Sequence, residues 1–327
     1  MGVPVEVVPQ GAWRKLGGRL TALLRQIPRL RRVVKDFRPD VLHANEFHIV
    51  PQALCAAEKK SPVTAHVRLS ITTRQIHNYG MAECRRIVCV SEAVAGLFAG
   101  SPAAGRTQVV PNGVRVAGLE APHPPHPAVA TWLGEDPPPL IAGLFGLVSA
   151  RKNQLVAAEA VARARSRGAD VRLLLAGDAH KSSKAYGERL RERLAREDLR
   201  GATLWLPFQD DMAALYHSVG VNLLISAEEG FGRTIIEAGA AGRPSIGTRI
   251  GGIPELVEEG RTGWLVPEGD AEPLADRLME LAGQEASLRE AGAAARQHVR
   301  EHFTIEAHAA RMVSLWQEVV EEFRSVP

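Results

Sequence analysis

Ser226-Ala-Glu-Glu-Gly-Phe-Gly-Arg-Thr-Ile-Ile-Glu-Ala-Gly-Ala-Ala-Gly-Arg-Pro-Ser245 decides how this chain is read. An apolar run, Val221 to Ile225, precedes it and predicts a buried strand. Gly230 and Gly232 flank Phe231 in a tight loop, and a helical pattern runs from Arg233 to Ala241. Gly242-Arg-Pro244 stops that helix before the next apolar run. Strand, glycine loop and helix together present backbone N–H groups at a helix N-terminus, an arrangement that binds anions and most often phosphate.

Two carboxylates bracket the loop. Glu229 stands before it and Glu237 lies inside the helix, one turn from Arg233 and among Ile235, Ile236 and Ala238. A carboxylate in apolar company needs a partner, and a pair of ligand hydroxyls would serve. On this stretch alone, a solvated loop glutamate and a solvated helix glutamate read equally well.

Glu229-x7-Glu237 with Gly-Phe-Gly between resembles the signature of the retaining glycosyltransferases of family 4. Tyr216, Ser226, Gly242-x-Pro244, Gly251-Gly252-x-Pro254-Glu255-Leu256-Val257 and Thr262-Gly263-Trp264-Leu265-Val266-Pro267 carry the same resemblance. It implies an α/β chain of the GT-B class, two Rossmann-like domains whose parallel sheets face a cleft. It implies an acceptor-side domain over residues 1–118 and a nucleotide-sugar domain over 119–303. A last helix, 304–327, would cross back to the first domain.

Composition agrees with an ordinary globular protein. The 327 residues suffice for two cores, and no run of about 18 apolar residues suggests a membrane-spanning helix. Cys55, Cys84 and Cys89 are odd in number and lack metal spacing, which reads as reduced core cysteines of a cytoplasmic protein. The first 120 residues carry a net charge of +9 and the remainder −6. A basic first half fits a lipid-linked or otherwise anionic acceptor, or peripheral contact with an anionic membrane; a solvated arginine-rich face fits it equally. No nucleic-acid partner is expected.

In the first domain, Val3–Val8 reads as a strand. Leu20, Leu23, Leu24, Ile27, Leu30 and Val34 share a helical face that Pro28 is expected to kink or break. Strand patterns follow at Asp40–Asn45, Pro62–His66, Arg86–Ser91 and Gln108–Gly113. Alternation with helices implies a parallel sheet with ligands at the strand C-terminal ends, near His43, His66, Ser91 and Asn112. The resemblance places His66 near the transferred sugar and the acceptor. Family members begin with a further strand and a Gly-rich loop ahead of a strand like Val3–Val8, and this sequence lacks that segment. The prolines of residues 115–139 predict a semi-rigid linker.

In the second domain the resemblance implies that Lys152 contacts the donor diphosphate, while Leu147 occupies the position of the family's arginine. Arg151 is a candidate for the missing charge. Gly177 and Phe208 match positions whose backbone meets the nucleotide. Glu237 would hold the ribose, and Glu229, Gly230 and Phe231 the sugar. The amides of Gly232, Arg233 and Thr234 would face the diphosphate. Asp210-Asp211 reads better as a helix N-cap than as a metal motif, and no catalytic metal is expected. No cofactor is expected either, the substrate being a sugar carried by UDP or GDP. Two further readings stand beside this one: a catalytically impaired nucleotide-sugar binder of the same fold, and an NAD-dependent oxidoreductase. The second fails for want of a G-x-G-x-x-G, since Ile235 stands where the third glycine belongs.

Overall fold

The computed structural model describes residues 25–135, 138 and 140–325. Val3–Val8, Gly17-Gly18 and the first part of the Leu20–Val34 stripe lie outside the described residues. The chain divides into two compact units. One holds the residues up to Pro111 together with those from His308; the other is Asn112–Ala307.

Among its described residues the first unit is built on four parallel strands in the order of the chain: β1 (Leu42–Ala44), β2 (Val63–Val67), β3 (Arg86–Cys89) and β4 (Thr107–Val109). All five residues of β2 are buried, as expected of a parallel strand covered on both faces. Helix Ile305–Arg324 closes this unit from His308 onward. Its Met312, Leu315 and Val319 pack with Val88 and Val110, and Arg85 and Arg86 bind Glu322 at 3.3 and 2.5 Å.

Pro28 stands in the first turn of helix Ile27–Phe37, where a missing N–H leaves no hydrogen bond unmade; the earlier part of the stripe it was expected to kink or break lies outside the described residues. Ser91 follows the C-terminal end of β3, as expected, and its hydroxyl also caps the next helix, accepting from Val94 N at 3.1 Å.

The second unit has six parallel strands in the order β10-β9-β8-β5-β6-β7. They are β5 (Leu140–Phe145), β6 (Val171–Ala176), β7 (Thr203–Leu206), β8 (Val221–Leu224), β9 (Ser245–Thr248) and β10 (Gly263–Val266). Helix Gln154–Ser166 buries Ala157, Ala158, Ala160, Ala162 and Ala164, small side chains that let it lie close to the sheet. The proline-rich segment expected to be a linker is folded. Pro127 opens helix Pro127–Leu133, the His126 ring caps it by accepting from Ala128 N, and Val129 is fully buried in the core of this unit.

Candidate active site

Strand order fixes where a ligand can bind in the second unit. From β5 the chain winds to β6 and β7 on one side; β8, β9 and β10 lie on the other. The two central strands pair directly, Ala142 beside Val221 and Gly143 beside Asn222. Loops leaving their C-terminal ends therefore diverge and open a crevice between them. One loop carries Gly146 to Asn153 and the other Ile225 to Gly232.

These loops are stitched together. Ala227 N donates to Arg151 O at 2.8 Å, and the Asn153 amide donates to Ile225 O at 3.0 Å. Across the seam, Lys152 Nζ lies 2.5 Å from Glu229 Oε2, the two side chains being only 13% and 12% exposed. The Ser226 hydroxyl donates to the same oxygen at 3.3 Å. Arg151 Nη1 lies 3.6 Å from it and donates to Glu228 O at 2.9 Å. One carboxylate oxygen thus gathers two cations and a hydroxyl.

Glu237 sits one helical turn into Arg233–Ala240, the helix predicted from the sequence. Its partners are the Tyr216 hydroxyl and the exposed Arg233 guanidinium, each at 2.9 Å. Tyr216 is fully buried and meets Phe145 edge-on at 5.3 Å. Burial, and then the Glu237 charge beside it, push its hydroxyl pKa well above the ordinary value. The tyrosine therefore stays a proton donor and holds the carboxylate in one place.

Glu237 opens onto a cavity of about 400 Å³ that Gly146, Leu147, Gly177, Phe208 and Thr234 also line. That volume is in the range of small-ligand pockets. Leu147 is 46% exposed and Phe208 66%, so both present apolar surface to water. Gly177 adopts φ 138°, and a Cβ there would overlap the carbonyl oxygen of Gly146. Only glycine allows that approach. Gly232 (φ 114°) leads into the helix, whose N-terminus has no side-chain cap, and the Thr234 hydroxyl is buried without a partner. Gly230 and Phe231 are buried, and the Phe231 ring packs on Phe303 at 6.0 Å. Its side chain is thus part of the core, and only its backbone is left for a ligand.

His66 belongs to the first unit. It lies on β2, 1% exposed, with Nε2 lacking any hydrogen-bond partner. Its ring is 5.7 Å from that of His43 and 6.4 Å from that of His308. Burial, then the Arg68 charge, lower the His66 pKa to about 3, and the same causes lower His43 to about 4. Both rings are neutral at physiological pH. A larger hollow of about 890 Å³ also lies in this unit, between helix Ile27–Phe37 and the C-terminal helix. Its Pro39, Asp40 and Ser61 precede β1 and β2, so it faces the N-terminal ends of the strands, the edge that parallel sheets do not use for ligands.

Among the described residues no group of three or more histidine, cysteine, aspartate or glutamate side chains could hold a metal ion, and no helix is long and apolar enough to cross a membrane. Asp211 caps helix Met212–His217, accepting from Ala214 N at 3.2 Å.

Residues 139–284 match the family Glycosyl transferases group 1, and residues 3–117 match Glycosyltransferase Family 4. Among curated relatives, N-acetyl-alpha-D-glucosaminyl L-malate synthase of Bacillus anthracis is 36% identical over 153 residues. A D-inositol 3-phosphate glycosyltransferase of Streptomyces bingchenggensis is 32% identical over 145. The aligned parts are 47% and 44% of this chain and only 39% and 32% of the two relatives' own lengths. Among solved structures, HepE of Anabaena in complex with UDP superposes with a TM-score of 0.80 at 21% identity, over 92% of this chain and 83% of that one. A glycosyltransferase from Rickettsia africae superposes with a TM-score of 0.82 at 19% identity, over 97% and 84%. The two parallel-sheet units thus have the GT-B fold of the glycosyltransferases. The chain belongs to the group 1, family 4 glycosyltransferases.

Proposed function

We propose that the protein transfers a sugar from a nucleotide-diphosphate sugar to an acceptor hydroxyl with retention of anomeric configuration. The observation that carries this reading is the second unit's cavity at the switch point, with Glu237 in its wall, together with Lys152 and Glu229 on the loops that open the same crevice. The ribose hydroxyls hydrogen-bond to Glu237, which Tyr216 holds in place. The base lies against Gly177 and the Phe208 backbone. Lys152, assisted by Arg151, and the amides of Gly232, Arg233 and Thr234 meet the diphosphate. Charge develops on that leaving group as the glycosidic bond breaks, and each such donor contributes about 10²–10³ in rate. Glu229 and the backbone of Gly230 and Phe231 orient the sugar, and His66 borders the acceptor. A phosphate oxygen of the donor takes the acceptor proton on the same face of the sugar. The cations are the protein's own, so a chelator leaves the rate unchanged. UDP is the nucleotide to try first, because HepE, of like fold, has been solved in complex with it.

The test is incubation with UDP- and GDP-sugars, following nucleotide release and the anomeric configuration of the product by NMR. Release of an inverted product would refute retention, and release unaffected by Glu229→Ala would remove Glu229 from the site. A second reading, an impaired nucleotide-sugar binder, is favoured by Leu147, an exposed apolar side chain where the resemblance implies an arginine. Tight donor binding without release of nucleotide, with water or any acceptor, would select it. Peripheral membrane contact through the basic first unit predicts salt-sensitive co-sedimentation with anionic vesicles, and its absence would exclude that contact.

A further inference from the structure

Gln209 is a further polar side chain in the wall of the cavity that Glu237 lines. Much of that wall is apolar, with Leu147, Ala176, Phe208 and Met212, and an apolar wall packs against the face of any base. One base is told from another at its edge, by donors and acceptors. Glu237 and Thr234 are already given to the ribose and the diphosphate, which leaves Asp178 and Gln209. Asp178, as a carboxylate, can only accept. Gln209 stands three residues after β7 and next to Phe208.

A glutamine amide can present its oxygen or its nitrogen, and here both ends are fixed. His126, 83 positions earlier, sets the oxygen. Its Nδ1 accepts from Ala128 N at 3.2 Å, so Nδ1 carries no proton and Nε2 does. Nε2 lies 3.2 Å from Gln209 Oε1 and therefore donates to it. At the other end Gln209 Nε2 donates to Pro207 O at 3.2 Å, a carbonyl that can only accept. Turning the amide over would set N–H against N–H at His126 and oxygen against oxygen at Pro207. His126 is itself held. Its backbone N–H donates to the Ser218 hydroxyl at 3.3 Å, and it opens the helix whose Val129 is fully buried. One N–H of the Gln209 amide is used on Pro207, and the other has no protein partner among the described residues.

We propose that Gln209, oriented by His126, selects the base of the donor nucleotide: its free N–H donates to a keto oxygen, O4 of uracil or O6 of guanine. Cytosine and adenine carry an amino group at the corresponding place, and two donors would then face each other. An unmet donor in a closed site costs about tenfold or more in affinity. The proposal rests on the nucleotide-sugar reading of the cavity. It adds a side-chain contact to the backbone contact that the resemblance gives to Phe208.

The experiment is isothermal titration of UDP, CDP, GDP and ADP into the full chain. It is read as two ratios of affinity, UDP over CDP and GDP over ADP, because the members of each pair share ribose, diphosphate and ring size. In each pair that binds, the keto member should bind about tenfold or more tightly. In Q209E the side chain still accepts from His126 but has no N–H, so the ratio should fall to about one or invert. Q209L brings no charge toward the diphosphate and should also bring the ratio to about one. H126N keeps a capping oxygen for Ala128 N but is too short to reach Gln209, and it too should lower the ratio. Equal affinity within the pairs, or a preference for the amino member, overturns the proposal, as does a ratio unchanged in Q209E and Q209L. A ratio unchanged in H126N removes His126 from it. Binding without discrimination leaves the nucleotide-sugar reading standing and removes only the role of Gln209. If none of the four nucleotides binds, that reading falls and the proposal with it.

Discussion

Replacing Lys152 and Glu229 singly and together separates what the pair does for folding from what it does for a donor. The contact is 2.5 Å and both side chains are nearly buried, so solvent screens it only in part. A hydrogen bond between charged groups contributes about 1.5–3 kcal/mol, and stranding one charge of a fully buried pair costs about 3–5 kcal/mol. Glu229 would keep Ser226 and Arg151 after loss of the lysine, which lowers the cost. K152M and E229Q should therefore each lose about 1–3 kcal/mol, a drop in Tm of about 2–4 °C per kcal/mol for a unit of this size. The double variant leaves neither charge stranded and should recover most of that loss. Turnover obeys a different rule, because the leaving diphosphate still lacks its cation. K152M should lose about 10²–10³ in kcat, and K152M/E229Q should be no better. Urea denaturation and nucleotide release, measured on all four proteins, complete the cycle. Activity that returns with stability in the double variant would refute the reasoning, because Lys152 would then be only a structural counter-ion.

Other perturbations have equally definite outcomes. Gly177→Ala must move the Gly146 backbone and adopt a strained φ; about 2–4 kcal/mol of stability and most of the nucleotide affinity should go, and an unchanged melt would show that the turn yields. Tyr216→Phe removes one of two hydrogen bonds to Glu237 and should weaken nucleotide binding by about tenfold, whereas unchanged affinity would mean that Arg233 alone fixes the carboxylate. His43 and His66, lowered from 6.5 to about 4 and about 3, stay neutral in the folded chain while the unfolded chain takes up protons. Their contribution is complete above about pH 6.5, is lost as pH falls toward the folded values, and then levels off; each adds a slope of at most about 1.4 kcal/mol per pH unit. His66→Gln should reduce that slope between pH 6 and 4, and an identical slope would contradict the assignment.

The strand, loop and helix around Glu229 and Glu237 were legible because they are contiguous: the apolar run ends, two glycines follow, and the period changes within one stretch. The partners of that stretch were not. Lys152 reaches Glu229 across 77 positions because β5 pairs with β8, a fact of strand order that no local pattern contains. Tyr216 stands 21 residues before Glu237, and only the packing of its helix against the sheet directs its hydroxyl to that carboxylate. Asn153 carries no motif, and its bond to the Ile225 carbonyl follows from the same strand pairing. The proline-rich segment misled because the effect of proline depends on its position: Pro127 stands in a first turn, where proline starts a helix as readily as it ends one elsewhere. The approach of His43, His66 and His308 depends on contacts between strands and the C-terminal helix, and no spacing in the sequence announces it.

The central claim is that a nucleotide binds in the second unit with its ribose on Glu237. Isothermal titration of UDP, GDP and ADP into the protein and into Glu237→Ala tests it most directly. Saturable binding that favours one nucleotide and weakens about tenfold or more in the variant is expected. Binding that is indifferent to Glu237, or no binding of any of the three, would contradict it.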